Sequence, residues 1–449
     1  MEVAQQNDKQ RDIATHLERI VGSDGFCHWQ ALDATDQAAL IQATQSDQPV
    51  MGVVYPQHQD ALSQVMACCH HHGWRVLTLG HGSKLSWGGL VSADIAVSTS
   101  RMNRLIDHAV GDLTVTLEAG IGFAALQASL AAERQFLAID PAYPDRATLG
   151  GIVATADTGR LRQRYGGIRD MLIGLSLVRA DGQIAKAGGR VVKNVAGYDL
   201  MKLLSGSYGT LGIISQLTFR VYPLPPASQT VLLSGPTEAI AQVTRGLLAS
   251  ALTPTAVELI CPKTLARLGL KVGFTDHLGL LTQFQSLEVS VTQQAERLMQ
   301  IGQAADLEAI AFAGVHETNL WQQLQEPMAI APQAPVVRCK IGVLPADAAI
   351  ALQHLTTHAP AVQSGQIHAS SGLGWLQLDG AIAPDQLHTL REYCQNQGGF
   401  LSLLEGPAAL KQQIDVWGYQ GNALGRMRQI KQQFDPKALL NPGRFVGGI

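Results

Sequence analysis

The amino-acid sequence predicts an α+β fold built from two domains. With 449 residues, the chain is longer than a single hydrophobic core usually serves. Short apolar strands alternate with amphipathic helices, and 20 of the 45 glycines fall between Gly80 and Gly212. This glycine density indicates a turn-rich first domain, although any β-rich domain needs turns. The proline-rich stretch Pro223–Pro226 is expected to connect it to the second domain.

The first domain is predicted to start with a strand–helix–strand unit after a helical segment at residues 1–46. We expect a strand at Val50–Tyr55 and a helix at Asp60–His72, whose apolar residues fall on one face. Gly73 ends that helix, and a strand at Trp74–Leu79 follows. This strand leads into a glycine-rich loop at its carboxyl end, where α/β units usually bind ligands.

Strands and helices are predicted to alternate through the rest of the chain as well. The first domain is expected to span residues 47–225, the second 226–420, and a C-terminal segment 421–449 to return to the first domain. Further strands are predicted at Asp94–Val97, Leu105–Ile106, Leu113–Leu117, Leu172–Val178 and Gln183–Ala185, and a last one follows Gly209–Ile214 and ends at Val221. Helices are predicted at Phe123–Glu133, Thr237–Ser250, Thr292–Ala305 and Pro384–Gln397.

Composition excludes several classes of protein. A formal net charge of -3 and 5% aromatic residues argue against nucleic acid or an anionic membrane as the main partner. The six cysteines form no Cys-x-x-Cys pair, which argues against zinc or iron–sulfur ligation and is typical of a reducing compartment. The N-terminus lacks a signal-peptide pattern, and no run of 18 apolar residues occurs. We therefore expect a cytoplasmic protein.

Two glycine-rich loops carry the chemistry. The segment Asp145–Gly167 combines Gly150 and Gly151 with threonines at 148, 155 and 158, and Gly80–Gly89 has the same character. Glycine lets the backbone approach a ligand closely, so that N–H groups can point at it. Such loops suit a diphosphate, which needs many donors and little bulk. Two of them in one domain indicate a dinucleotide, and we expect FAD.

A set of motifs resembles the FAD-linked oxidases whose flavin domain is of the p-cresol methylhydroxylase (PCMH) or vanillyl-alcohol oxidase type. Within that family the sequence is most similar to the FAD-binding subunit of bacterial glycolate dehydrogenase (glycolate oxidase). The resemblance covers residues 47–225 and returns at the C-terminus. It rests on Gly80–Gly89, Thr148–Gly151, Tyr165-Gly166, Arg190–Asp199, Gly206–Ile213 and Phe434–Arg444.

The resemblance implies a two-subdomain PCMH-type FAD-binding domain followed by an α+β, ferredoxin-like cap domain. FAD is expected to be held without a covalent bond, because Ser83 stands where some relatives place an attachment histidine, with His81 two positions earlier. The residues that the resemblance assigns to the cofactor are Gly80, Gly82, Ser83, Lys84, Thr148, Gly150, Gly151, Ala154, Thr155, Thr158, Gly209 and Ile213.

The sequence departs from the family's metal motif in the cap domain. Relatives that oxidise 2-hydroxy acids resemble His-x-Gly-Asp-Gly-Asn-x-His with a later Glu-His-Gly. Here the corresponding stretch keeps His368 but has Ser371, and the later motif keeps Glu405 without its histidine. One histidine and one glutamate fall short of the converging ligand set a transition metal needs, so we expect no metal.

The resemblance and this departure together imply an accessory role. We expect an FAD-binding subunit that oxidises glycolate or another 2-hydroxy acid with a catalytic flavin subunit and an iron–sulfur subunit, and is inactive on its own. Through those partners it could associate with a membrane. The alternatives are a stand-alone, metal-free FAD-dependent dehydrogenase of another alcohol or hydroxy acid, and a structural subunit without redox role.

Other residues have two interpretations each. Lys193 and Arg444 are weak catalytic candidates, since the family places these segments near the flavin; a solvated lysine and a surface C-terminus are the alternatives. Arg160, Arg162 and Arg164 could pair with phosphate, a carboxylate or a partner subunit, or be exposed at a strand edge. The histidines at 70–72 fan around a helix, so they are expected to be a solvated helix end.

Overall fold

The computed structural model describes residues 13–45, 50–190, 198–270, 277–329 and 335–449. Its strands are β1 (Phe26–His28), β2 (Gly52–Val54), β3 (Val76–Leu79), β4 (Ile95–Ser98), β5 (Leu105–Ala109), β6 (Thr114–Glu118), β7 (Gln135–Phe136), β8 (Leu172–Val178), β9 (Ile184–Gly188), β10 (Ile213–Arg220), β11 (Tyr222–Pro223), β12 (Ala227–Gly235), β13 (Ala256–Ile260), β14 (Leu278–Ser286), β15 (Glu308–Ala313), β16 (Val336–Gly342), β17 (Val362–His368), β18 (Leu373–Asp379) and β19 (Phe400–Glu405).

The helices alternate with these strands along the chain. They are α1 (residues 13–21), α2 (Ala34–Ala43), α3 (Gln59–His72), α4 (Phe123–Ala132), α5 (Leu149–Thr155), α6 (Arg162–Tyr165), α7 (Ile168–Met171), α8 (Leu200–Leu204), α9 (Thr237–Leu248), α10 (Pro262–Arg267), α11 (Glu288–Ala304), α12 (Gly314–Ala329), α13 (Ala348–Thr357), α14 (Pro384–Asn396), α15 (Ala408–Gln413) and α16 (Leu424–Phe434).

Three large sheets organise the described part of the chain, and β11 and β7 form a further, two-stranded one. The first has the order β1-β2-β4-β3 and is parallel except for β1. The second, β5-β6-β10-β8-β9, is antiparallel. The third, β15-β12-β14-β13-β17-β18-β16-β19, is also antiparallel, and we call it the cap sheet. The predicted α+β class is confirmed.

Several predicted elements are confirmed nearly residue for residue. Helix α3 ends at Gly73, which adopts a left-handed conformation with φ 72° as expected for a helix-terminating glycine. The strand predicted at Leu172–Val178 is β8, and its fully buried pattern explains why an apolar run identified it. The prediction that the N-terminal segment is helical is wrong for Phe26–His28, which forms a strand against β2.

The part of the cap sheet formed by β17, β18 and β16 has one apolar and one polar face, whereas β12, β14 and β13 carry apolar residues on both faces, the second of these faces being packed against α10 and α12. Alternate residues of β16 show this clearly: Cys339 and Ile341 are fully buried in the cap core, whereas Arg338 and Lys340 point to the other face. Helices α9, α13 and α14 contribute to the core on the apolar face. The polar face therefore borders the first domain, where the candidate site lies.

The C-terminal tail returns to the first domain. Ile430 and Phe434 of α16 pack against the core of the five-stranded sheet, and Leu440 lies beside Val76 of β3. The predicted boundaries at 46, 225 and 420 stay predictions. All six cysteines are free thiols, and no helix within the described ranges is both long and apolar enough to cross a bilayer.

Candidate functional site

A cleft opens where the two glycine-rich loops meet, at the carboxyl end of β3 and the start of α5. Four separate parts of the chain line it, so only the folded protein brings them together. The lining residues are Thr78, Leu79, Gly80, His81, Gly82, Ser83, Lys84, Leu85, Thr148, Gly151, Ala154, Thr155, Tyr208, Gly209 and Arg444. We call this space the cofactor cleft.

The glycines of the cofactor cleft are required by close approach and by backbone conformation. A Cβ on Gly80 would overlap the side chain of Thr148, so the two loops touch at this point. Gly209 has φ +72°, and a Cβ there would overlap Thr78 and Asn441. Because both positions exclude any side chain, the cleft presents backbone rather than bulk to a ligand.

The threonines of the second loop are partly engaged in structure. The Oγ1 of Thr148 caps α5 by accepting a hydrogen bond from the N–H of Gly151 at 3.3 Å. The Thr155 hydroxyl donates to the carbonyl of Gly151 at 2.8 Å. Thr158 is buried and accepts from the N–H of Ile168, so it does not extend the cleft as the sequence suggested.

Buried cations supply positive charge to the cofactor cleft. Arg444 is 5% exposed, and its Nη2 donates to the carbonyls of Lys84 and Leu85 at 2.9 and 3.1 Å. Its Nε and Nη1 have no hydrogen-bond partner among the described residues. Burial lowers the pKa of Arg444 to about 10, which still leaves it charged at neutral pH. Buried donors without partners fit an anionic group such as a dinucleotide diphosphate.

The C-terminal tail delivers Arg444 to the cleft through Asn441. The Asn441 side chain accepts from the N–H of Thr78 at 2.8 Å and donates to the carbonyl of Tyr208 at 2.9 Å. Lys431 and Asp435, paired at 2.6 Å, anchor the start of the tail. The Asn-Pro-Gly-Arg motif therefore positions a cation, rather than forming a loose surface terminus.

The structure brings together most of the residues that the resemblance assigned to the cofactor. Those lining the cofactor cleft are Gly80, Gly82, Ser83, Lys84, Thr148, Gly151, Ala154, Thr155 and Gly209. Gly150 instead packs against Ala119, and Ile213 is buried at the start of β10. Lys193 lies outside the described residues.

Sequence reasoning missed Tyr208 as part of the cleft. Its ring is buried and meets Trp417 edge-on, with ring centroids 4.9 Å apart. Burial raises the pKa of Tyr208 above its usual range, so the hydroxyl stays protonated. Tyr208 lies inside the Gly-Ser-Tyr-Gly-Thr motif, and this position could have identified it as a residue of the cleft.

A second space, which we call the cap cavity, lies between the polar face of the cap sheet and residues 140–162. Arg160 pairs with Asp140 at 2.6 Å and lies 4.3 Å from the ring centre of Trp321. Arg162 lines the cap cavity, whereas Arg164 is exposed. The three arginines thus do not form an exposed strand edge, because Arg160 precedes the short helix α6 and Arg162 and Arg164 lie within it.

The two residues retained from the metal motif each have another partner. The Nδ1 of His368 lies 2.5 Å from Oε1 of Glu258, a fully buried carboxylate on the neighbouring strand. Glu405 pairs with Arg338 at 2.5 Å. Within the described ranges, no three His, Cys, Asp or Glu side chains are grouped to hold a metal ion.

Glu405 is the centre of a buried network between the domains. It accepts hydrogen bonds from the side chains of Ser86, Trp87 and Tyr143 at 3.0, 3.1 and 2.5 Å. Ser86 and Trp87 belong to the first glycine-rich loop and Tyr143 lies just before the second, while Glu405 and Arg338 belong to the cap sheet. The network therefore fixes the cap against the cofactor cleft.

The fold and the cofactor cleft define a flavin-nucleotide-binding protein with a separate cap domain. The family described as "FAD binding domain" matches residues 50–188, and "FAD linked oxidases, C-terminal domain" matches residues 417–445. These ranges contain both glycine-rich loops and the tail that carries Arg444. Over these two ranges the chain is similar to the FAD-linked oxidases; it binds FAD and is an FAD-dependent oxidoreductase.

Relatives cover nearly the whole chain. Glycolate oxidase subunit GlcD of Bacillus subtilis (strain 168) is 24% identical, with 97% of each chain covered. Glycolate oxidase subunit GlcE of Escherichia coli (strain K12) is 29% identical, over 77% of this chain and 85% of that protein. The solved structure of p-cresol methylhydroxylase with substrate bound superposes with a TM-score of 0.76 at 13% identity, covering 97% and 96%, and so shows the same fold.

Proposed function

We propose that this chain is the FAD-binding subunit of a glycolate dehydrogenase-like complex. The complex oxidises glycolate or another 2-hydroxy acid to the 2-oxo acid, so that its chemistry acts on a CH–OH group. A catalytic flavin subunit and an iron–sulfur subunit complete it. The similarity to both GlcD and GlcE, which are named as subunits of glycolate oxidases, supports this proposal.

One observation carries the subunit assignment. The cofactor cleft keeps its glycines and buried cations, while His368 and Glu405 are committed to Glu258 and Arg338. A chain that retains its flavin site but uses its metal-motif residues for other contacts fits a flavin-holding partner better than a metal-dependent catalyst.

The residues of this chain hold and orient the cofactor. Bound FAD would supply two-electron oxidising capacity when a hydroxy acid loses hydride from its α-carbon and a proton from its hydroxyl. The glycine-rich loops would accept the diphosphate, and Arg444 would balance part of its charge from a buried position, while Lys84 of the first loop is paired with Asp157 at 3.0 Å. The Glu405 network would keep the cap closed over the cleft and exclude water.

A stand-alone, metal-free dehydrogenase is the second candidate. The cap cavity favours it, because polar side chains of the cap sheet converge there beside the cofactor cleft. A structural subunit without a redox role is disfavoured by the glycines of both loops, which exclude side chains from the cleft.

An absorption spectrum of the purified chain separates these functions. The proposal expects bound flavin that glycolate bleaches only when the catalytic and iron–sulfur subunits are added. Bleaching by a hydroxy acid in the isolated chain would favour the stand-alone dehydrogenase. A folded, colourless protein that does not take up FAD would contradict both.

A further inference from the structure

Strand β15 forms an open edge of the cap sheet. It pairs with β12 in an antiparallel register without any shift, and within the described ranges no backbone hydrogen bond joins it to another segment. In an antiparallel pair, every second residue turns its N–H and C=O away from the partner strand. The outer side of β15 therefore presents a row of backbone donors and acceptors that are free to pair with a further strand.

The side chains of β15 make this edge apolar. The strand reads Glu-Ala-Ile-Ala-Phe-Ala, so that no charged side chain lies between Ala309 and Ala313. Ile310 is 39% exposed, Ala311 is exposed, and Val315 just beyond the strand is 68% exposed. Helices α11 and α12 pack on β12 and β15 but leave these residues accessible. An exposed apolar strand edge of this kind is suited to pairing with another strand.

Other outer strands are protected against such pairing. Strand β5 carries Asp107 at its centre and its register shifts after Leu105, and β9 carries the exposed Lys186. At the opposite end of the cap sheet, the N–H of Leu403 in β19 donates to the carbonyl of Val416 at 2.7 Å, so a neighbouring segment covers that edge. Charges, irregular pairing and covering segments keep strand edges from associating. Among the residues that the structure describes, none of these devices is found on the central part of β15.

The sequence of β15 suits an antiparallel copy of itself. When two such strands are related by a two-fold axis centred on Ala311, that residue lies opposite its own copy. Ile310 then faces Phe312 of the second copy, on the side of the sheet where Phe312 packs near α12. Glu308 lies at the end of the pairing, opposite Gly314, so the two carboxylates stay apart. This register joins apolar side chains and brings no like charges together.

We propose that two copies of this chain associate through their β15 strands, so that their cap sheets join into one continuous antiparallel sheet. Backbone hydrogen bonds connect the strands, and Ile310 and Phe312 add apolar contact. Because β19 is covered, both copies use the same edge, and the contact closes as a two-fold dimer instead of continuing into a fibre. No residue of β15 lines the cofactor cleft or the cap cavity, so this surface is separate from the proposed flavin-binding function.

Sedimentation velocity of the FAD-loaded chain at several concentrations tests the proposal. We expect a monomer–dimer equilibrium with a dissociation constant of about 10 μM, because a contact between strand edges is smaller than a standard interface. Ala311→Lys and Ala311→Glu each place two like charges opposite one another, and each should weaken the dimer about tenfold. An equimolar mixture of the two variants brings opposite charges together at this position and should restore the affinity of the unmodified chain.

The matched control is Ala132→Lys, at an exposed position of α4, which should leave the dissociation constant unchanged. A chain that stays monomeric up to about 100 μM overturns the inference, including the case in which β15 pairs only with a strand of another protein. A mixture of the two charged variants that dimerises no better than either variant alone also overturns it.

Hydrogen exchange of the unmodified chain is a second measurement, which does not depend on how well the variants fold. The outward-facing amides of β15 should exchange at least about tenfold more slowly in the dimer than in the dilute monomer. A dimer whose β15 amides exchange as fast as those of the monomer is formed by another surface and rejects this one. A chain that binds no FAD contradicts the proposed function instead, and leaves the pairing of β15 to be decided by these measurements.

Discussion

The cofactor cleft and the cap cavity lie side by side and share Thr155, but they are built from different parts of the protein. The cleft is lined mainly by residues of the two glycine-rich loops, joined by Tyr208, Gly209 and Arg444, and its shape depends on glycine backbone. The cap cavity is lined by side chains on strands of the cap sheet and on the segment before α6. Local sequence thus determines the first, whereas strand pairing determines the second.

The largest expected effect tests how strongly side chains of the cap sheet hold the two regions together. Glu405→Ala leaves the guanidinium of Arg338 buried at 2% exposure without its carboxylate. We expect a loss of about 3–5 kcal/mol in the free energy of unfolding, because the charge of Arg338 is then buried without a partner. Urea denaturation of the FAD-loaded chain measures it.

The matched control removes both charges. Arg338→Met combined with Glu405→Leu should recover much of the lost stability, because no unpaired charge remains. A single Glu405→Ala variant as stable as the unmodified chain would show that the network does not hold the cap.

The second prediction tests the backbone of the cofactor cleft. In Gly80→Ala, the new Cβ overlaps Thr148, so one loop must move away from the other. We expect at least about 100-fold weaker FAD binding, close to 2.7 kcal/mol. Fluorescence titration of the apoprotein with FAD measures it.

Gly246→Ala is the matched control, because a Cβ there meets nothing within 4 Å. It should bind FAD like the unmodified chain. If Gly80→Ala keeps full affinity, close approach of the two loops is not what forms the site.

The difference between the two regions explains what the sequence could reveal. Helix α3, strand β8 and the glycine-rich loops are local patterns, and their residues come together as expected. Arg338 and Glu405 are 67 residues apart in the chain, and no local pattern marks their pairing. Likewise, Glu258 reaches His368 only because β13 pairs with β17.

The sequence also does not show which threonine hydroxyls of the second loop face the cofactor cleft. Thr158 has the same loop composition around it as Thr148, yet its hydroxyl serves the start of α7 instead of the cleft. Which hydroxyls remain available depends on backbone hydrogen bonds formed after folding. Composition alone could not distinguish the two residues.

The third prediction concerns Lys411 of α15, which is hydrogen-bonded to the first glycine-rich loop. Its Nζ donates to the carbonyls of Ser86 and, at 2.9 Å, of Gly88. Burial, followed by the charge of Arg444, lowers its pKa from 10.5 to about 7. Between pH 7 and pH 10.5 the Lys411 amine binds more protons in the unfolded chain than in the folded chain. The free energy of unfolding therefore rises with pH, by up to about 1.4 kcal/mol per pH unit from this residue.

Lys411→Met should therefore show a shallower rise in unfolding free energy between pH 7 and 9 than the unmodified chain, measured by urea denaturation at each pH. The exposed Lys186→Met should keep the full slope. Identical slopes for Lys411→Met and the unmodified chain would mean that the buried amine titrates as it does in the unfolded state.

The smallest effect is expected from Thr148→Ala, which removes the cap of α5 without filling the cofactor cleft. The lost contact is a single hydrogen bond of 3.3 Å from Gly151, and such caps contribute about 1 kcal/mol. Thr148→Ser keeps the accepting oxygen and should remain within a few tenths of the original stability. Thermal unfolding of the apoprotein compares the two variants. A loss for Thr148→Ala as large as that for Glu405→Ala would contradict the division drawn above, because side chains would then hold the cleft as strongly as they hold the cap.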